Sequence, residues 1–144
     1  MDAGLLLSSA GWFPGRVIDV SRTEHAYESE GFTMHDAGLA VLQEFSELVV
    51  CGDDRRQCLW FDGERALRGR DSAWSHAYSE DSGRVLLPVG EYSHMVVLVD
   101  EAGGLWGGFD DSYGWLAGSV VELVHGLFID PAQRSFDRQL PDER

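Results

Sequence analysis

At 144 residues and 44% hydrophobic content, the chain has the length of one domain and the composition of a folded one. Its apolar runs, such as Val96 to Val99, fall far short of the roughly 20 residues a membrane-spanning helix needs. Its 25 acidic residues against 11 basic ones, all Arg, give a formal charge of −14, which argues against nucleic acid and anionic membranes as ligands and suits a basic protein partner.

The opening Met1-Asp2-Ala3-Gly4 has no basic residue, so no signal peptide is expected and the protein is placed in the cytoplasm. Ala3 to Ala10 is apolar and predicts a short helix ended by Gly11, with Trp12 and Phe13 as anchors to the core. Pro14-Gly15 marks a turn into a short extended or connecting piece, Arg16 to Val20. Glu24 to Glu30 predicts another short helix around Tyr27, closed by Gly31. Between His35 and Glu47, the recurrence of Leu39, Leu42 and Phe45 defines one helix face, with Gln43, Glu44 and Glu47 on the other.

Leu48 to Cys51 and Gln57 to Asp62 predict two strands, the second ended by the turn dipeptide Asp62-Gly63. Cys51 and Cys58 fall in these strands; a disulfide across the hairpin is conceivable, but reduced core thiols are the favoured reading for a cytoplasmic chain. Ala66, Leu67, Ala73, Trp74, Ala77 and Tyr78 are helically spaced, with Asp71 or Ser72 as cap and Asp81-Ser82-Gly83 as stop. Val85 to Gly90 is extended, and Pro88 marks an edge or the end of a strand. His94 to Val99 and Leu105 to Phe109, joined by Asp100 to Gly104, form an antiparallel hairpin. Ser119 caps a last amphipathic helix reaching Gly126, with Val120, Leu123, Val124 and Leu127 inward. This order, helices first and then mostly antiparallel strands, reads as α+β: a mostly antiparallel sheet with helices packed on one face.

Catalytic constellations do not emerge. His25, His35, His76, His94 and His125 are scattered singly, without zinc-site spacing, and no Cys-x-x-Cys is present. Gly103-Gly104 and Gly107-Gly108 fall in the hairpin rather than before a helix, where a phosphate loop would need them. Asp110-Asp111 is the best carboxylate pair, yet neighbours on an extended chain point to opposite faces, so a solvated loop is expected. No catalytic residue, metal ligand or cofactor is therefore expected.

The 5 Trp, 4 Tyr and 7 Phe are more suggestive. Most belong in a core. Trp60 beside Asp62, and Trp106 to Trp115 around Asp110, Asp111 and Tyr113, nonetheless put aromatics next to acids at strand ends, as in an anchor ringed by charge. With Asp53 and Asp54, the candidate partner-binding residues are Asp53, Asp54, Trp60, Asp62, Trp106, Asp110, Asp111 and Tyr113. The carboxylates would steer a basic partner and the aromatics would hold it.

Several segments also resemble a known family as an ordered set. Ala10-Gly11-Trp12-Phe13-Pro14-Gly15-Arg16 resembles the opening of the third subfamily of the SUKH superfamily. Leu87-Pro88-Val89-Gly90-Glu91, the strand Val96 to Asp100, the glycine turn and Leu105-Trp106-Gly107 resemble its central block, and Val124-His125-Gly126-Leu127 its closing element. One departure is Trp106-Gly107-Gly108, where a member often has an aromatic such as Tyr after the hairpin glycine. The resemblance implies a single α+β immunity domain over residues 1–130, with a peripheral C-terminal tail at 131–144. It implies a non-enzymatic protein that binds and blocks a cognate secreted toxin, such as a nuclease or deaminase, in a bacterial polymorphic toxin system. A regulatory or scaffold module of the same fold, without a toxin, is the alternative. The expected partner is a basic protein toxin, with neither nucleic acid nor membrane, and the chain itself is a monomer or a weak homodimer.

Overall fold

Met95–Val99 is apolar at every position, and each of these side chains is buried. A strand sends alternate side chains to opposite faces, so burial throughout requires cover on both. The computed structural model, which describes residues 2–52, 57–68, 71–131 and 136–141 (Asp71 through its backbone alone), shows how that cover is arranged.

Seven strands form one antiparallel meander, each neighbouring the next in sequence: β1 (Val49–Cys51), β2 (Cys58–Trp60), β3 (Leu87–Tyr92), β4 (Met95–Val99), β5 (Leu105–Phe109), β6 (Ser112–Ala117) and β7 (Arg138–Gln139). The helices are α1 (Ala3–Ser9), α2 (Ser21–Ser29), α3 (Asp36–Phe45), α4 (Gly63–Ala66), α5 (Asp71–Ser82) and α6 (Val120–Val124), the last running on as a π-helical turn, His125–Ile129. The domain is α+β, as its order of elements predicts.

The larger core lies on one face of the sheet. There Val97 and Val99 meet Leu7 of α1, Tyr27 of α2, Leu42 and Phe45 of α3, and Leu123 and Val124 of α6. The smaller core lies on the opposite face, where Val96, Leu98, Trp106 and Tyr113 meet Tyr78 of α5. Helix α5 thus departs from the one-sided arrangement, because the odd and even residues of β4 both need cover. Gly108 makes room for it: a Cβ at that position would lie 2.3 Å from the Tyr78 ring. Its neighbour Gly107 does the same for the other face, where a Cβ would lie 2.6 Å from the Met95 sulfur.

Local chemistry explains the helix ends. His35 caps α3 by accepting the Gly38 amide on Nδ1 at 2.9 Å, with Nε2 at 3.0 Å from the Val85 carbonyl. Ser119 caps α6 through the Glu122 amide at 3.2 Å. Leu42 and Phe45 face the core as the spacing in α3 predicts, and Leu39 packs at its margin.

Several expectations are corrected. Asp62-Gly63 ends the strand by starting a helix rather than a simple turn: the Asp62 carboxylate accepts the Arg65 amide at 3.1 Å and opens α4. Phe13 is exposed, while Trp12 stacks on Phe45 and donates from its indole to Glu44 at 2.8 Å. Neither Asp71 nor Ser72 is a flanking cap, since both lie within α5. Pro88 sits inside β3, but β2 pairs only with Glu91 and Tyr92, so the missing N–H falls where no strand asks for it. The Pro88 carbonyl accepts the buried Tyr27 hydroxyl instead, and burial, with the nearby Asp62 charge, raises the Tyr27 pKa. Residues 112–117, for which the sequence predicts no element, form the strand β6, and Arg138–Gln139 pairs with it as β7. Cys51 and Cys58 are joined in a disulfide, not left as separate thiols, because the register places them directly opposite each other.

Candidate partner-binding surface

A meander returns alternate connections to the same end of the sheet. The pairing of Leu59 with Tyr92 and of Val96 with Gly108 places Cys58, the Ser93-His94 turn and the Asp110-Asp111 turn at one common end. Asp53 and Asp54 lie outside the described residues.

At this end Phe109 is 47% exposed, a large apolar surface for a strand terminus. Its ring centroid stands 6.3 Å from that of the exposed His94. Asp110 and Asp111 follow, both exposed. Asp110 adopts φ 52°, a left-handed conformation that Asp tolerates better than most residues, and its carbonyl accepts the Tyr78 hydroxyl. The Asp111 carbonyl accepts the Leu140 amide at 2.7 Å, and its carboxylate accepts the Gln139 side-chain amide at 3.2 Å. The turn is therefore fixed from below by α5 and from the side by the tail. An apolar ring with carboxylates beside it, held on a stiff turn, has the make-up of a binding anchor with a charged rim.

The other candidate aromatics are placed differently. Trp106 is 4% exposed and Tyr113 is fully buried, so neither ring is presented to a partner. Their polar ends are satisfied internally by two other acids, Asp81 and Asp100. The Tyr113 hydroxyl donates to Asp81 at 2.5 Å, and burial together with that bond pushes its pKa up to about 12. The Trp106 indole donates to Asp100 at 2.8 Å, while the Arg138 guanidinium lies 5.3 Å from its ring. Trp115, cross-strand from Trp106, carries the exposed ring there.

Trp60 is exposed, but the Arg65 guanidinium sits 4.4 Å over its ring while also approaching Glu91 at 3.7 Å. Asp62 is close by but serves as the α4 cap. The structure therefore brings Asp110 and Asp111 together with Phe109 and His94, and keeps Trp60 and Asp62 apart on β2 and its exit. Phe109 was passed over because it ends an apolar strand; its position directly before two Asp residues was the available signal.

Asp100 is the polar centre of the β4–β5 connection. It is buried, and its carboxylate accepts the amides of Ala102 at 2.8 Å and Gly104 at 2.9 Å as well as the Trp106 indole. Burial raises its pKa, but those three bonds and the Arg84 charge outweigh burial and hold it below the usual value of 3.8.

An open groove between α1 and α6 is lined by Asp2, Ala3, Gly4, Val121, Glu122 and His125. Asp2 caps α1 there, and Glu122 accepts the Gly118 amide, so both carboxylates are already engaged. Among the described residues, no group of three or more His, Cys, Asp or Glu side chains could hold a metal ion, and no helix is long and apolar enough to cross a membrane.

The family model described as SUKH-3 immunity protein matches residues 3–128. No curated protein and no solved structure matches the chain.

Proposed function

The chain belongs to the SUKH-3 immunity protein family, and from that membership we propose that it neutralises a cognate secreted toxin by stoichiometric binding in the cytoplasm of the producing cell. The family match over residues 3–128 carries this reading. It is supported by the formal charge of −14, which favours a basic partner, and by the exposed Phe109 beside Asp110 and Asp111. Carboxylates at the rim would speed encounter, and the ring would slow release. The chemistry is occlusion by contact, with the chain itself neither cleaving nor modifying its partner.

Growth rescue tests the proposal. Cells expressing a candidate cognate toxin should survive when the chain is co-expressed, and the two purified proteins should form a 1:1 complex. Survival without a complex, or a complex without survival, would overturn neutralisation by stoichiometric binding. A chain that neither rescues nor binds, and instead captures a cellular regulator, would favour a scaffold role.

A further inference from the structure

We propose that the Cys51–Cys58 bond is a reversible redox site, opened by a dithiol reductant and closed by the reverse exchange with a disulfide oxidant, which is itself reduced to thiols, and that its state sets how firmly the edge strand β1 is held at the end of the sheet carrying His94 and Phe109.

The geometry favours reversibility. Cys51 and Cys58 are direct register partners with Cα atoms 4.2 Å apart. Val50 and Leu59, their neighbours, point into the larger core, so by strand alternation the two sulfurs lie on the opposite face. Both cysteines are half-buried, within reach of a reductant without opening that core. After reduction the backbone would still hold the thiols side by side, poised to reclose.

The position gives the bond leverage. Strand β1 is three residues long, lies at the edge of the sheet and, among the described residues, pairs with β2 alone. Strand β2 in turn pairs with β3 through Leu59 and Trp60. Beyond the disulfide, Gln57 accepts the Tyr92 hydroxyl at 2.8 Å, and Tyr92 leads directly into the Ser93-His94 turn. Gly52 backs onto the Phe128 ring, which meets Tyr92 edge-on at 5.6 Å. Opening the staple releases one end of this chain of contacts while the core residues stay packed.

The exchange balances without further reagents. A thiolate of the dithiol attacks one sulfur and forms a mixed disulfide, and the other sulfur leaves as a thiolate that takes up a proton. The reductant's second thiol then displaces the protein sulfur, leaving two protein thiols and an oxidised reductant. A cytoplasmic dithiol of the thioredoxin type is the matching class, which reconciles a disulfide with a reducing compartment.

The test uses the full chain with dithiothreitol or a thioredoxin system. Thiol titration should release two thiols per chain while near-ultraviolet dichroism stays native. Hydrogen exchange should quicken about tenfold or more at residues 49–52 and 57–60, remain unchanged in β4, and revert on reoxidation. A Cys51→Ser/Cys58→Ser variant should match the reduced protein and ignore the reductant. Thiols appearing only as the protein unfolds, or exchange unaltered by reduction, would overturn the proposal. None of these readouts involves a toxin, so their failure is separate from failure of growth rescue.

Discussion

The Trp106 indole donates to the Asp100 carboxylate at 2.8 Å, joining the second residue of β5 to the residue that follows β4. With the Ala102 and Gly104 amides on the same carboxylate, one buried acid closes the hairpin. Asp100→Ala should cost about 3 kcal/mol, since a buried indole and two loop amides lose a charged acceptor. Its lowered pKa gives a definite pH dependence. Because the folded value lies below the unfolded one, the stabilisation is complete above the ordinary value of 3.8 and fades as pH falls through the folded value. Thermal melts from pH 6 to pH 2 should show this acid-side loss in the native protein and a shallower slope in Asp100→Asn.

The fit of Tyr78 over Gly108 predicts strong coupling. Gly108→Ala should destabilise by about 2 kcal/mol or more, because the added methyl meets a ring fixed between α5 and the sheet. Pairing it with Tyr78→Leu should recover part of that loss. A double-mutant cycle by guanidinium denaturation measures the recovery, and strict additivity would contradict the close approach.

Removing the staple should weaken the whole fold modestly. Cys51→Ser/Cys58→Ser is expected to lower unfolding stability by about 2–3 kcal/mol, the loop-closure scale for a short ring. Denaturation under oxidising and reducing conditions supplies the comparison, and the two curves should converge in the variant.

Binding substitutions should divide by mechanism. Phe109→Ala should raise the dissociation rate from the proposed toxin partner at least about tenfold with little effect on folding. Asp110→Asn keeps a side chain that tolerates the left-handed turn, and should instead slow association and flatten its salt dependence. Surface-binding kinetics at two ionic strengths separate these outcomes.

The fold was legible wherever local pattern and tertiary placement agree. Leu42 and Phe45 of α3, the hairpin of β4 and β5, and the Ser119 cap of α6 all follow from spacing or residue type. Strand β6 was not, because Gly114 interrupts its alternation and its partner β7 lies beyond the last helix. At the candidate site, Asp110 and Asp111 were legible as an exposed turn. Tyr113 and Trp106 were not, because Asp110 and Asp111 lie beside them in sequence while their rings are buried and their polar ends go to other acids, Asp81 and Asp100. For Tyr113 that acceptor is Asp81, on a helix whose contact with β6 no local pattern encodes. Cys51 and Cys58 needed the register of β1 on β2, which a hairpin with an unsettled turn leaves open.

The sheet order has a consequence for how the molecule is assembled. Every strand pairs with its sequence neighbour, and from β3 to β6 the connections are short, so that part of the sheet can zip hairpin by hairpin. Helix α1 reaches across the chain: besides β1, it packs on α6 and on the π-helical turn after it. The packing of α1 is therefore complete only once α6 has formed. Refolding should show an early sheet and a late closure, with Leu7 reporting the final step.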